Sequence, residues 1–212
     1  MKRLFLFLMV IGLVTLTTTV EVQGVELEAG ASFNTVAMDY LNEIIDIYNT
    51  RGGAHLPDLD SGISFFGDLM LGFPLLDLGL GVESISASAH GIDPHGNPAR
   101  VSTSALGFLG IGRFIILRGG LRTLISAAFG RYSATYFSDL EGLEAQGSGI
   151  GYKIEIVTKL KLGNLLLSSV LGFRNLAFDK LIGPRGNILT VQGKPYLDFS
   201  GFELGLGVGL RF

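Results

Sequence analysis

The sequence predicts an all-β protein, an eight-stranded antiparallel up-and-down transmembrane β-barrel with one short helix in the first external loop. Three observations predict it. From Gly201 to Phe212 the chain alternates without a break, with Phe202, Leu204, Leu206, Val208, Leu210 and Phe212 on one parity and glycine, Glu203 and Arg211 on the other. Successive strand side chains point to opposite faces, so such a segment has one wholly apolar face, as a strand between lipid and a lumen requires. Hydrophobic residues make up 48% of the 212 residues, yet beyond the N-terminus no run is long and apolar enough to span as a helix, so membrane crossing falls to strands. Finally, the connections alternate between long and short, as an even-numbered barrel with both termini on one side demands.

The elements follow in order. Lys2 and Arg3 precede an apolar run from Leu4 to Leu16, and Val22, Gln23 and Gly24 resemble a small-residue cleavage site. This reads as a removable signal peptide over 1–24, leaving a barrel domain over 25–212. Its loss removes Lys2, Arg3 and Glu21 and takes the formal charge from −3 to −4. A mildly acidic chain lacks the basic footprint of a nucleic-acid binder, and without cysteine it has neither disulfides nor a lipidated Cys.

Eight strands are predicted, at about Val25 to Asn34, Gly62 to Gly72, Leu76 to Ser88, Arg100 to Ile116, Leu121 to Phe137, Gly149 to Leu162, Leu165 to Phe178 and Phe199 to Phe212. The fourth and fifth have mixed parity, which predicts a bulge or register change. Phe73 to Leu75, Leu117 to Gly120 and Gly163-Asn164 form the short connections. The long ones are Thr35 to Ser61, Ala89 to Ala99, Ser138 to Ser148 and Asp179 to Asp198. In the last of these, Ile188, Leu189 and Val191 after Gly183-Pro184-Arg185-Gly186-Asn187 predict a hairpin beyond the membrane, whose edge could recruit an extracellular partner.

With the polar parity inward, Glu26, Glu28, Asp77, Glu83, Lys153, Glu155, Lys159, Lys161, Glu203 and Arg211 are predicted to face the lumen. Both signs are present and eight strands enclose only enough space for side chains, so a sealed, charge-paired interior is expected in preference to a pore. Gly201, Gly205, Gly207 and Gly209 share that face, as do Gly79 and Gly81. They either let a large neighbour lie flat across a curved sheet or leave a pocket for a small ligand.

In the first long loop, Tyr40, Leu41, Ile44, Ile45 and Tyr48 recur at helical spacing, predicting an amphipathic helix over 36–49. Its polar face is acidic, unlike that of a helix lying on lipid, so its apolar side is expected to pack against the barrel mouth or lumen, as a cap or partial plug. The histidines His55, His90 and His95 all fall in predicted loops. Ser86, Ser88 and Glu83 lie near His90 without a spacing that forces a triad, and His90, Asp93 and His95 make a weak metal signal. No catalytic, cofactor or metal residues are assigned.

The ending Gly205-Leu206-Gly207-Val208-Gly209-Leu210-Arg211-Phe212 resembles the C-terminal β-signal of the small eight-stranded outer-membrane barrels of the OmpA, OmpX and OmpW kind. Gly205 stands where that signal has a polar residue, and the chain has no Trp. The resemblance implies a bacterial outer-membrane location, contact with outer-membrane lipid, and recognition by the barrel assembly machinery. It also implies a non-catalytic structural, binding or surface role, the alternatives being a narrow conduit and a lipid-modifying enzyme.

Overall fold

In the computed structural model, residues 22–93 and 95–212 are described; the predicted signal peptide falls almost wholly outside them. Eight long strands form the barrel. They are β1 (Gly24–Thr35), β2 (Ser61–Gly72), β3 (Leu76–Ile92), β4 (Pro98–Leu117), β5 (Leu121–Ser138), β6 (Leu143–Leu162), β7 (Leu165–Phe178) and β11 (Gly201–Arg211). Each pairs antiparallel with its sequence neighbour, and β11 closes the ring between β7 and β1. Short strands β8 (Lys180–Ile182), β9 (Ile188–Thr190) and β10 (Leu197–Asp198) and one helix, α1 (Asp39–Gly52), complete the chain.

Following ladder partners once around the ring from Arg211 passes Glu26, Met70, Gly79, Ile111, Ala128, Lys153 and Arg174 and returns to β11 at Gly201. The return point lies ten residues up the strand. A shear of ten over eight strands sets the strand tilt at about 40° from the axis and leaves an interior of side-chain width. The outward apolar residues Phe202 to Phe212 then span about 24 Å along the axis, the height of an outer-membrane lipid belt.

The polarity of both surfaces inverts part way up the wall. Toward the end carrying the termini, β3 to β6 are apolar outside, with Leu78, Leu80, Phe108, Phe129 and Ile154 exposed, and carry charged residues inside. Above Val82, Leu106, Phe129 and Ile150 the outward positions become Ser84, Ser104, Arg131 and Ser148. The inward ones become Ile85, Ala105, Ala134 and Ala145, all buried. The lower half is therefore packed for lipid and the upper half for water, each burying what its solvent rejects.

This inversion explains where the observed strands depart from the predicted ones. β3 and β4 extend to Ile92 and from Pro98, and β6 begins at Leu143 instead of Gly149, so two predicted long loops shrink to turns. Polar outward residues had read as loop, whereas they form the wall of an extension beyond the bilayer. His90 consequently lies on β3 rather than in a loop. The irregularity expected in the fourth and fifth strands is a register shift between Ile115 and Leu117.

Helix α1 runs three residues later than its predicted span. Gly53, with φ +73°, ends it in a left-handed C-cap that donates to the Tyr48 carbonyl. The next segment straps the helix in place. Asn49 exchanges two hydrogen bonds with the backbone of Leu56 (2.8 and 3.0 Å), and Asn42 accepts from the Leu59 amide (2.7 Å). His55 donates to the Ile92 carbonyl at the top of β3, pinning the strap to the wall. The predicted hairpin after Phe178 is present as β8 and β9 around Gly183–Asn187, with Ile182 paired to Gln146 of β6. Among the aromatics toward the external strand ends, Phe33, Phe65, Phe137 and Tyr152 face outward. Tyr136, Phe178 and Phe199 instead point inward and are buried.

Candidate functional site

Two buried ion clusters fill the lower and middle lumen, and an apolar cluster containing α1 fills the top. In the lower cluster Arg113 of β4 pairs with Glu28 (3.0 Å) and Asp68 (2.5 Å), and Arg122 of β5 with Glu26 (2.6 Å) and Asp77 (3.0 Å). Lys159 of β6 donates to both Glu26 and Glu28 at 2.8 Å, and Arg211 approaches Glu26 at 3.4 Å from the rim. In the middle cluster the guanidinium of Arg174 on β7 bridges Glu83 (2.5 Å) and Glu203 (2.7 Å) and donates to Asn34 (3.1 Å). Lys153 pairs with Glu155 (2.7 Å) and reaches Glu83 (3.5 Å), while the Tyr132 hydroxyl donates to Glu83 (2.8 Å) and Ser32 to Glu203 (2.7 Å).

The geometry of two pairs decides what the lumen is. In the ring, β5 is diametrically opposite β1, and β7 is opposite β3. The bonds Arg122 to Glu26 and Arg174 to Glu83 therefore cross the whole bore at two heights. All four residues are essentially without solvent contact, except that Arg122 retains a few per cent. Each cation bonds at least two acceptors, the condition under which a buried ion pair offsets its desolvation.

Of the ten residues predicted to face the lumen, Glu26, Glu28, Asp77, Glu83, Lys153, Glu155, Lys159 and Glu203 lie in these clusters. Arg211 stands at the rim, and Lys161, paired with Leu166 in the last rungs of β6, is exposed there, outside the clusters. Four members were not assigned from sequence: Asp68, Arg113, Arg122 and Arg174. A usable signal existed, since a charge within the belt of a transmembrane strand must turn inward to escape lipid.

Several inward glycines are beds for large side chains, while Gly201 and Gly209 lie against the backbone of Thr35 and Leu27. A Cβ on Gly30 would stand 2.4 Å from the Phe66 ring, on Gly79 2.3 Å from Met70 Sδ, and on Gly107 2.3 Å from the Tyr132 ring. Gly207 also faces the Phe66 ring, and a Cβ on Gly205 would meet Ser32 at 2.7 Å. The space beside these glycines is thus occupied. Gly107→Val is expected to displace Tyr132 from Glu83 and cost about 1–3 kcal/mol, measurable by urea unfolding in lipid vesicles. An unchanged midpoint would contradict this packing.

Above the ions, Leu41, Ile44 and Ile45 of α1 join one buried cluster with Ile85, Ala87, Ala89, Val101, Ala105, Ala134 and Phe178. Alanine on the wall leaves the volume that the helix side chains occupy. Tyr40 and Tyr48 are partly buried against the same cluster. Tyr40 packs edge-on against Tyr196 (4.9 Å between centroids), which meets Tyr136 (5.7 Å), and Lys194 pairs with Glu43 on the outer side of the helix. The fourth external loop is thereby fastened over the first.

The catalytic and metal signals resolve into structure. Ser86, Ser88 and His90 face outward while Glu83 faces inward, so the wall separates the would-be triad. Asp93 holds the β3–β4 turn, accepting from the backbone amides of His95 and Asn97 (both 2.8 Å) and from the Asn97 side chain (3.1 Å). The Asn97 donors hold its carboxyl below the usual carboxylate range.

No family model matches the chain and no curated protein matches it. Among solved structures it is similar to Neisserial surface protein A, at 14% identity and a TM-score of 0.52, covering 89% of this chain and 97% of that one. Weaker likenesses are to the N-terminal β-barrel domain of Pseudomonas aeruginosa OprF (15% identity, TM-score 0.45, 90% and 100% covered) and to Ail of Yersinia pestis (11%, 0.47, 89% and 99%). The fold is that of the small outer-membrane barrels. With its apolar belt, the chain is an outer-membrane β-barrel protein.

Proposed function

We propose that the protein is a sealed, non-catalytic surface barrel, a membrane anchor that displays a rigid external cap for binding or structural purposes. The observation that carries this reading is the pair of ion bridges spanning the full bore, Arg122 to Glu26 and Arg174 to Glu83. A continuous water path would have to break buried charge pairs at two levels and expel α1 from an apolar cluster. Each break leaves an uncompensated buried charge, which costs several kcal/mol. A narrow conduit would need the opposite arrangement, with charges lining a wetted wall.

The cap supports the display half of the reading. The strands β3 to β6 continue beyond the belt, polar outside and apolar inside, and two loops are locked together over them by Tyr40, Tyr196 and the Lys194 to Glu43 pair. A scaffold of this rigidity holds an exposed surface in fixed geometry at low entropic cost.

Planar-bilayer recording of the folded protein tests the proposal. Silent membranes are expected at protein levels where an open porin conducts, and a steady, discrete conductance would overturn the sealed barrel. Lipid mass profiles of cells with and without the protein are expected to be the same.

A further inference from the structure

At the height where the outer wall changes from apolar to polar, one position breaks the pattern. The first outward residue above the belt is serine on β3, β4 and β6, but Arg131 on β5. Its ladder neighbours are Phe108 of β4 and Ile150 of β6, both more than 60% exposed, and the exposed cross-strand pair Phe129 and Tyr152 lies one outward step below. Aromatic residues at a belt edge mark the level of lipid headgroups. Arg131 thus presents a cation at the boundary between acyl chains and headgroups, and it makes no ion pair among the described residues.

Beside it the ladder between β6 and β7 is interrupted. It stops at Gly151 and Leu176, although a Cβ on Gly149 would still stand 3.2 Å from the Ala177 carbonyl oxygen, and β6 pairs again with β8 at Gln146. The break holds a notch of about 610 Å³ lined by Arg131, Ser148, Gly149, Asp179 and Lys180, with Ile150 beside it. Two cations, a serine hydroxyl and one carboxylate, that of Asp179, line it, and no ion pair joins them among the described residues. Lys180 likewise makes no ion pair among the described residues.

We propose that this notch binds the phosphorylated headgroup of an outer-leaflet lipid. Arg131 supplies a planar fork of donors suited to phosphate oxygens, Lys180 a mobile point charge and Ser148 a neutral donor. The acyl chains lie along the exposed face formed by Ile150, Phe129 and Tyr152 below. A free anion could use the cations but gains nothing from that apolar approach, which favours the lipid. The assignment requires the barrel to lie in the membrane with its long hairpins outward. It does not depend on whether the lumen is sealed.

The test uses the whole folded protein in phosphatidylcholine nanodiscs doped with diphosphorylated lipid A, counting lipid A molecules retained on release by native mass spectrometry. The double variant Arg131→Gln, Lys180→Gln is expected to lose retention by about fivefold for each cation removed. Arg118→Gln, Lys161→Gln, which removes two exposed cations at the opposite rim, is expected to retain lipid like the parent. The heat-dependent gel shift of each variant checks that it is folded. Equal retention by the two double variants would overturn the site, as would equal retention of dephosphorylated lipid A by the parent. Displacement by millimolar inorganic phosphate would show an anion site that does not select lipid, and would overturn the proposal too.

Discussion

Arg174→Met is expected to destabilise the folded barrel by about 3–5 kcal/mol, seen as a lower urea midpoint in lipid vesicles. Among the described residues the guanidinium is the only cation bonded to Glu203 and one of two near Glu83, and it holds the Asn34 amide oxygen as well. Its removal strands carboxylates in a space that water does not readily reach. The size of the loss therefore measures the isolation of the charges left behind more than the worth of the pairs themselves. That distinction is testable, because Glu83→Gln and Glu203→Gln added to Arg174→Met are expected to recover at least half of the loss. A single-variant loss below about 1 kcal/mol would mean that water enters the middle lumen and hydrates both carboxylates. The sealed-bore reading would then fail with it.

Ile45→Ala is expected to loosen the cap while leaving the membrane part of the barrel intact. Ile45 is completely buried where α1 meets the alanine-lined wall, and truncating a buried Ile costs about 2–5 kcal/mol. If the cap opens separately from the barrel, the cost falls on that local opening. Trypsin cleavage after the exposed Arg51 is then expected to accelerate by at least about thirtyfold, while β1 to β7 keep their hydrogen-exchange protection. If cleavage and strand exchange rise together, cap and barrel form one cooperative unit. If neither changes, α1 does not depend on this contact. The Lys194 to Glu43 pair at the surface is worth far less, since exposed ion pairs contribute little.

Much of this was readable from alternation. In β11 and the lower β6, apolar and polar residues alternate without interruption, so face, register and number of crossings follow from the period of two. Six of the ten residues predicted for the lumen, Lys153, Glu155, Lys159, Lys161, Glu203 and Arg211, come from these two strands. Arg113 and Arg122 were missed because they lie beside the register shift near Ile115 and Leu117, where parity by itself does not say which face is inward. Asp68 and Arg174 were missed for another reason. Each is a lone charge in a strand of small and apolar residues, and only the membrane makes its direction obligatory. The upper ends of β3, β4 and β6 read as loops because a polar outer face is what loops also present; an inside-out pattern had to turn right side out before His90 could be recognised as wall.

What the sequence determined by itself was the class of object: strands that cross lipid, their order, and a helix with an apolar stripe in the first loop. These rest on local periodicity, which tertiary packing does not alter. The tertiary structure alone decided which charge meets which, because closure of the ring sets β5 opposite β1 and β7 opposite β3 and the shear sets their heights, joining residues 96 and 91 apart in the chain. It also decided what the glycines are for. A glycine in a strand signals only that a side chain is missing; whether the space is empty or filled by Phe66, Met70 or Tyr132 depends on neighbours that closure of the ring places there.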